Sequence, residues 1–422
     1  MTPNSLTTMP PHAAASTNAP SLGVEQRGSD VSAGEVHVIG AGPAGLAAAL
    51  YLARVGFAPV VFEQADDVGA RFDGELQSLE NWSTEEDAAA LLAGFGITSG
   101  VRFEPVDSVT FYGPERRPHA LSGTRPLLYL VERGAHEGAL DRSLKDQAEA
   151  AGATFRFGEP VTHSDARHVV VATGPRTADA RVERVAFETD HPDAALGLFD
   201  AALAPGGYAS LFVRGGRATL STWIFDPAAQ AEPRGTYLDH TLEAVRQVTG
   251  CAVRAPRRSG GAINFSTAAS WTRSGRFYFV GERAGFQDAL WGLGLRHALL
   301  SGVLAARAIV MGENYDALCR QLLVPGLEVA LANRVVLGQL APARYEWALG
   351  RAAEGNAVAA LRRLYQPTRT TSVLHELARQ GAHPPLAEPA CHGERCRCLW
   401  CEHGPHAEAA APPDATPESP DC

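Results

Sequence analysis

The feature that most constrains the fold is a glycine-rich turn between a short apolar strand and a helix. Residues 34–63 read GEVHVIGAGPAGLAAALYLARVGFAPVVFE, in which Gly40, Gly42 and Gly45 form the pattern G-x-G-x-x-G. Such glycines allow a tight turn, close approach of a pyrophosphate to the backbone, and close packing of helix on strand. The helix N-terminus offers free N–H groups and a partial positive charge. Glu63 ends the second strand and can accept a hydrogen bond from a ribose hydroxyl, so the stretch predicts dinucleotide binding.

The composition excludes some classes of protein. The chain has 422 residues and a net charge of −10 at pH 7, without a basic region typical of nucleic-acid binding. No charged start followed by an apolar core opens the sequence, so we expect no secretory signal. The apolar stretches 284–311 and 318–341 contain several charges, too many for a membrane span. We therefore expect a cytoplasmic protein that binds no nucleic acid and has no transmembrane segment.

The stretch after Glu63 is rich in polar and aromatic residues. Residues 65–83 read ADDVGARFDGELQSLENWS and predict a long loop. Such chemistry in a loop indicates an active-site wall, with an ordinary surface loop as the alternative. The catalytic residues are unknown at this point. The acidic candidates in the loop are Asp73, Glu75 and Glu80.

Later segments alternate between strand and helix patterns. Three β-rich runs fall within 101–131, and an amphipathic helix with Asp141 as its candidate cap follows. HVVVATG (168–174) predicts a buried strand. Strands separated by glycine turns then predict an antiparallel sheet, and residues 315–378 predict helices with apolar faces. The amphipathic helices at 315–365 would also suit peripheral membrane contact, although ordinary core helices explain them better.

A cysteine cluster lies near the end of the chain. CHGERCRCLWCEH holds four of the seven cysteines within eleven residues. A metal site, with zinc as the commonest occupant, is one interpretation. An iron–sulfur cluster is a variant of it, while thiol redox chemistry, disulfide formation and an idle tail are alternatives. The predicted ligands are Cys391, Cys396, Cys398, Cys401 and His403.

Three motifs together carry a resemblance to a known family. The opening fingerprint, VVVATG and FVGERAGFQDALWGLGLRHALLSGVLAA (279–306) resemble the geranylgeranyl reductase branch of flavoproteins related to para-hydroxybenzoate hydroxylase. The resemblance implies an α/β fold: a Rossmann-like FAD-binding domain, as in glutathione reductase, an inserted antiparallel substrate domain and a helical C-terminal region. The cofactor-binding positions are then Gly40, Gly42, Pro43, Ala44, Gly45, Glu63, Gln64, Arg71, Arg133, Thr173, Gly174, Gly281, Glu282, Asp288, Gly292, Leu293 and Gly294. For Arg133, a surface salt bridge is an equally good interpretation.

The resemblance also implies how the chain is divided. The nucleotide domain comes in three parts, 34–100, 133–181 and 271–312. A β-rich segment at 101–132 and an inserted antiparallel domain at 182–270 form the substrate side. We predict disorder at 1–33 and in the acidic tail 407–422, a helical region at 313–385, and the Cys/His cluster at 386–406.

The sequence departs from the family pattern in ways that bear on function. Glu282 stands where the family has Asp, Ala289 replaces Pro, and Asp73 replaces a Cys, which argues against thiol-assisted alkene reduction. No Asp-Gly pair of the hydroxylase type follows VVVATG. A reductase is therefore favoured over a monooxygenase, and a non-catalytic redox-sensing flavoprotein with a metal-binding tail is a further alternative.

The expected reaction follows from the resemblance. FAD would pass electrons from NAD(P)H or a donor protein to an apolar substrate, for which an isoprenoid is one candidate. The aromatic residues that would line its cavity, or simply fill the core, are Tyr208, Trp223, Phe265 and Trp271.

Overall fold

The computed structural model describes residues 35–97, 100–175, 178–265, 272–338 and 342–378. The strands are β1 (Val36–Ile39), β2 (Val60–Glu63), β3 (Leu76–Glu80), β4 (Glu104–Val106), β5 (Ser108–Tyr112), β6 (Pro118–Ser122), β7 (Leu128–Glu132), β8 (Thr154–Phe157), β9 (His168–Val171), β10 (Ala180–Glu188), β11 (Ala194–Leu198), β12 (Tyr208–Arg214), β13 (Arg217–Ile224), β14 (Arg254–Ile263), β15 (Arg273–Ser274) and β16 (Phe277–Phe279). The helices are α1 (Pro43–Arg54), α2 (Ala88–Gly94), α3 (Leu140–Ala150), α4 (Pro227–Gln230), α5 (Thr236–Thr249), α6 (Leu295–Met311), α7 (Tyr315–Leu322), α8 (Val324–Gly338), α9 (Pro342–Ala353), α10 (Ala357–Arg363) and α11 (Arg369–Ala378).

The first sheet is the Rossmann-like one. Its six strands run in the order β15-β16-β9-β1-β2-β8, and all neighbours pair in parallel except β15 with β16. Buried valine and isoleucine fill the central strands, as expected for a parallel sheet covered on both faces. The carboxyl ends of β1, β2, β9 and β16 therefore meet at one edge, where such folds bind ligands.

The second sheet has seven strands in the order β14-β10-β13-β12-β11-β5-β6. All its neighbours are antiparallel except β5 and β11, which pair in parallel. A small third sheet consists of β3, β7 and β4, whose strands alternate in the chain with strands of the other two sheets. Side chains alternate between the two faces of a strand, so the register of the seven-stranded sheet decides which of its side chains face the nucleotide region.

Two local predictions were wrong. The stretch 65–83 contains strand β3 and a short 3-10 turn at Ala70–Phe72, because β3 pairs with β7, some fifty residues later in the chain. Asp141 does not cap α3; the cap position is Ala139, and Asp141 instead pairs with Arg133. The carboxylate that would have capped the helix is thus used by a buried arginine.

The C-terminal helices pack against the seven-stranded sheet. One core cluster surrounds the six-stranded sheet, and another joins β5, β12 and β13 to α8, α9 and α10. In the described part of the chain no single helix is long and apolar enough to cross a membrane. Only the bent pair α7–α8, with an angle of 49°, passes that test jointly.

Candidate functional site

A cavity of about 340 Å³ lies where the carboxyl ends of the parallel strands face the seven-stranded sheet. The residues that line this cavity are far apart in the sequence. Of the predicted cofactor-binding residues, its walls include Gly40, Gly42, Pro43, Ala44, Glu63, Gln64, Arg71, Arg133, Thr173, Gly174, Gly281, Glu282, Gly292, Leu293 and Gly294. Gly45 and Asp288 do not line it.

Each glycine of the first turn has its own structural reason. Gly40 has a φ of +101°, and a Cβ there would lie 2.5 Å from the Ala172 carbonyl oxygen. A Cβ on Gly45 would overlap the Gly40 carbonyl oxygen, so this glycine permits close packing of α1 on the sheet. A Cβ on Gly42 would meet nothing within 4 Å and would project into the cavity. Gly42 thus leaves room for a ligand, as dinucleotide binding requires.

Two helices begin at the cavity wall without side-chain caps. Helix α1 starts after Gly42 and α6 starts after Gly294, and neither cap residue provides a side-chain hydrogen bond. The first turns of both helices contain no acidic residue. Their N–H groups and positive dipole ends are therefore available to anionic or electron-rich groups of a ligand.

Glu63 is held in place by two backbone N–H groups, one of which belongs to the glycine turn after β1. Its Oε2 accepts a hydrogen bond from the Ala41 backbone N at 2.7 Å, and its Oε1 accepts one from the Ala65 backbone N at 2.9 Å. An ionised carboxylate has about four acceptor positions, so a ribose hydroxyl can still donate to it. The carboxylate is thus fixed at the cavity wall before any ligand binds.

Glu282 and Asp288 have different surroundings. Glu282 follows β16 on the cavity wall, and burial raises its pKa from 4.5 to about 7. Asp288 is fully buried away from the cavity and accepts from the backbone N atoms of Leu290 (2.6 Å) and Trp291 (3.3 Å) and from the Tyr365 hydroxyl. Burial raises the Asp288 pKa to about 6. Asp288 therefore shapes the turn that precedes α6.

Arg133 forms a buried ion pair and is not at the protein surface. Its Nε and Nη2 donate to the two carboxylate oxygens of Asp141 at 2.7 and 2.8 Å, and its Nη1 donates to Gln77 at 2.7 Å. Such a bidentate pair fixes the planar guanidinium in one orientation. Arg71, also on the cavity wall, donates to the Gly260 carbonyl at 3.0 Å. Both arginines lie beside the ring of Phe72.

The three acidic candidates for proton donation do not line the cavity. Asp73 pairs with His136 and Arg257, and Glu75 accepts from Ser259 and lies 3.8 Å from Arg184. Glu80 is fully buried, and burial raises its pKa to about 7. None of these side chains is placed to deliver a proton directly to a ligand in this conformation.

A second cavity of about 530 Å³ adjoins the first, and its lining is predominantly apolar. It lies between the seven-stranded sheet and helices α8 to α10. The two cavities share Ser78, Phe212 and Leu293 on their walls. Its aromatic lining is Trp82, Phe111, Phe199, Tyr208, Phe212, Trp291, Tyr345 and Trp347.

The predicted aromatic residues fall in different places. Tyr208 lines the second cavity and Trp223 lines the first, with their rings stacked at a centroid distance of 6.0 Å. Phe265 is buried and packs near Phe225. Trp271 lies outside the described residues.

Some wall residues were missed in the sequence. Arg184 and Gln287 line the first cavity, whereas Phe72 and Gln77, also on its wall, belong to the stretch 65–83 that was interpreted as an active-site wall. The available signal was the presence of three charged residues, Arg181, Glu183 and Arg184, in RVERVAF, because charges in a buried strand are unusual. That signal does not say which face of the strand Arg184 occupies, since this depends on pairing with β13 and β14.

The predicted metal site cannot be placed on this structure. Cys391, Cys396, Cys398, Cys401 and His403 all lie outside the described residues. Within the part of the chain that is described, no group of three or more His, Cys, Asp or Glu side chains could hold a metal ion. Cys251 and Cys319 are buried free thiols, as expected for core positions.

Part of the sequence matches a known protein family. Residues 38–85 match the NAD(P)-binding Rossmann-like domain family. No curated protein matches the sequence.

Solved structures are similar over most of the chain. A geranylgeranyl bacteriochlorophyll reductase-like protein from Thermoplasma acidophilum is 17% identical, with a TM-score of 0.64 over 82% of this chain and 99% of that one. The flavin-dependent halogenase CmlS is 17% identical, with a TM-score of 0.54 over 82% of this chain and 73% of that one. The p-nitrophenol 4-monooxygenase PnpA from Pseudomonas putida is 15% identical, with a TM-score of 0.54 over 79% and 99%. The predicted fold class is confirmed: this chain has the fold of the flavin-dependent oxidoreductases and monooxygenases, with a Rossmann-like nucleotide domain.

Proposed function

We propose that the protein is an FAD-dependent oxidoreductase, and specifically a reductase that acts on an apolar substrate. The electrons would come from NAD(P)H or from a donor protein. The observation that carries the proposal is that a cavity lined by two uncapped helix N-termini adjoins a larger apolar cavity. The first has the features of a dinucleotide site, and the second has room for an apolar molecule.

The residues of the first cavity suit FAD in chemistry and shape. The N-terminus of α1 and the open space at Gly42 suit the pyrophosphate, and Glu63 suits the adenosine ribose. Glu282 suits a ribityl hydroxyl, as the family resemblance implies. The N-terminus of α6, after Gly294, would lie near the pyrimidine edge of the ring and favour negative charge there.

The flavin, when bound, supplies the hydride-transfer chemistry. The chain's own residues orient and enclose the reactants. Phe212 and Leu293 line both cavities, so an apolar group bound beside them would lie next to the first cavity. The predominantly apolar lining of the second cavity suits an apolar molecule. The proton donor is not assigned.

The test is to purify the protein, add FAD and record its absorption spectrum and melting temperature. Bound FAD should give a flavin spectrum and raise the melting temperature. NADH or NADPH should then bleach the flavin absorption without oxygen, and an apolar alkene substrate should restore it. A protein that stays colourless after incubation with FAD, with an unchanged melting temperature, would overturn the proposal.

A monooxygenase is the second candidate, because flavin monooxygenases share this fold. The same preparation separates the two functions. Oxygen consumption that depends on an aromatic or apolar substrate and yields a hydroxylated product would assign the monooxygenase reaction. Substrate-dependent reoxidation in the absence of oxygen would assign the reductase.

A further inference from the structure

Gln287 is a polar residue on the wall of the first cavity, in the turn that leads into α6. Two backbone hydrogen bonds close that turn: the Asp288 N donates to the Leu293 carbonyl at 3.0 Å, and the Gly292 N donates to the Asp288 carbonyl at 2.8 Å. The backbone N of Gln287 donates to the Gly285 carbonyl at 2.9 Å. The backbone of the turn therefore fixes the place from which the Gln287 side chain starts.

The side-chain amide of Gln287 is fixed as well. Its Nε2 donates a hydrogen bond to the Gly292 carbonyl. The opposite orientation of the amide would bring two oxygen atoms together, so the Gly292 carbonyl decides which end of the amide is free. The free end is Oε1, and no donor within the described part of the chain reaches it. The cavity wall thus carries an oriented acceptor that has no partner in the chain.

Gly294 makes room for this acceptor at the start of α6. A Cβ on Gly294 would lie 1.7 Å from the Gln287 Oε1, so the oxygen occupies the space that a side chain would otherwise fill. Gly294 is the cap residue of α6 and provides no side-chain hydrogen bond to the helix. The first N–H groups of α6 and the Oε1 acceptor therefore lie side by side on the cavity wall.

The pyrimidine edge of a flavin presents the complementary groups, because its ring N3–H lies between two carbonyl oxygens. Helix N–H groups suit those carbonyl oxygens, but a donor cannot bind the ring N–H, which needs an acceptor. We infer that the Gln287 Oε1 accepts the hydrogen bond from the N3–H of FAD. Gln287 is then a cofactor-binding residue that the sequence motifs do not assign. This inference deepens the proposed function and rests on it.

The same contact should lower the reduction potential of the bound flavin. Uptake of two electrons and one proton leaves the reduced ring with a negative charge at its N1–C2=O edge. The amide oxygen carries a partial negative charge, so it interacts more favourably with the neutral oxidised ring than with the anionic reduced ring. Loss of Oε1 should therefore weaken the binding of oxidised FAD more than that of reduced FAD, and the potential should rise.

The first experiment compares FAD with 3-methyl-FAD, in which a methyl group replaces the hydrogen on N3. Each is titrated into the apoprotein, and the Kd is measured by flavin fluorescence. The unaltered protein should bind 3-methyl-FAD about tenfold more weakly, because a hydrogen bond is lost and the methyl group meets the amide oxygen. Gln287→Ala removes the acceptor, leaves room for the methyl group and should bind both equally. Equal affinities in the unaltered protein, or an unchanged ratio in Gln287→Ala, would overturn the inference.

Two further variants separate the hydrogen bond from a structural role. Gln287→Met keeps the length of the side chain, and it should raise the Kd for FAD about fivefold and raise the reduction potential. Gln287→Glu at pH 8 places a full negative charge at the same position and should lower the potential. Equilibration with redox dyes would measure both. Shifts of the same sign in the two variants would indicate a structural role alone and contradict the inference.

The matched control is Gln247→Met. Gln247 is an exposed glutamine of α5 whose Nε2 donates to Glu243 at 3.1 Å, so this variant should behave as the unaltered protein. The proposed function has a separate readout. If neither dinucleotide binds, the proposed function and this inference both fail. If FAD binds and the protein does not distinguish it from 3-methyl-FAD, only this inference fails.

Discussion

The six-stranded sheet and its helices line the first cavity mainly with backbone atoms, whereas the seven-stranded sheet lines it with side chains. On the nucleotide side the wall includes glycines and two helix N-termini, at Gly42 and Gly294, beside the carboxylates of Glu63 and Glu282. On the opposite side it consists of Arg184, Phe212 and Trp223. A cofactor used by many enzymes can be bound by a repeated backbone geometry, while a particular substrate has to be recognised by particular side chains.

The difference also affects how each side tolerates substitution. Where the wall is backbone, an added side chain blocks the ligand. Where the wall is made of side chains, removal of a side chain takes away a contact with the ligand. Arg133 and Asp141 form a third kind of contact, a buried ion pair that is itself part of the cavity wall. The expected effects of substitution therefore differ in kind between these regions.

The largest effect is expected when the buried ion pair is broken. Arg133→Leu leaves Asp141, which is 0% exposed, without its partner. Loss of one member of a buried pair typically costs about 3–5 kcal/mol of the unfolding free energy. Urea denaturation would measure it. The double variant Arg133→Leu/Asp141→Leu should recover most of the loss, and a single variant as stable as the unaltered protein would argue against this structural role.

A large loss of cofactor affinity without loss of stability is expected for Gly42→Asp. The new side chain enters open space, so the apoprotein should melt at an unchanged temperature. Its charge would repel the pyrophosphate and raise the Kd for FAD by about 100-fold. FAD titration by fluorescence would measure this. Gly45→Ala is the matched contrast, because its Cβ would overlap the Gly40 carbonyl and should lower the melting temperature.

A pH-dependent effect is expected at Glu80. Its neighbours are Ser83, Arg296, Asp288 and the His297 ring at 4.0 Å, and burial raises its pKa from 4.5 to about 7. The folded state therefore binds more protons than the unfolded state between these values, so this group lowers stability as the pH rises from about 4.5 to 7.

The test of this effect is the stability of Glu80→Gln relative to the unaltered protein. That difference should shift in favour of the variant between pH 5 and pH 8, by on the order of 1–3 kcal/mol. Denaturation at both pH values would measure it. A difference that does not change with pH would show that Glu80 is ionised throughout.

The smallest effect is expected at the hydrogen bond between Tyr365 and Asp288, which begins the turn before α6. Tyr365→Phe removes the hydrogen bond from the tyrosine hydroxyl to Asp288 and should cost about 1 kcal/mol. The pKa of Asp288 should rise further, since that bond stabilises its charged form. NMR titration of the aspartate would detect the rise. An unchanged pKa would show that the backbone N–H groups of Leu290 and Trp291 suffice.

Some wall residues of the first cavity could be predicted from the sequence and others could not. The positions of Gly40, Gly42 and Glu63 could be predicted because the turn that brings them together is local. Arg184 could not be predicted as a wall residue, because its direction depends on pairing with distant strands.

Strand β3 was mistaken for a loop for the same reason, since its partner β7 comes much later in the chain. Asp288 was expected on the cavity wall, but its turn folds its carboxylate back onto backbone N–H groups and onto Tyr365. The cysteine cluster stays a prediction.

The contact between α1 and α6 has a consequence for the two helix N-termini. A Cβ on Gly302 of α6 would overlap the Ala44 carbonyl of α1, and one on Gly281 would lie 3.1 Å from the Ala44 side chain. The absence of side chains at this crossing fixes how far apart the two helices begin. A single added methyl group at Gly302 would therefore displace the pyrophosphate end and the ring end of a bound dinucleotide relative to each other, without touching the ligand.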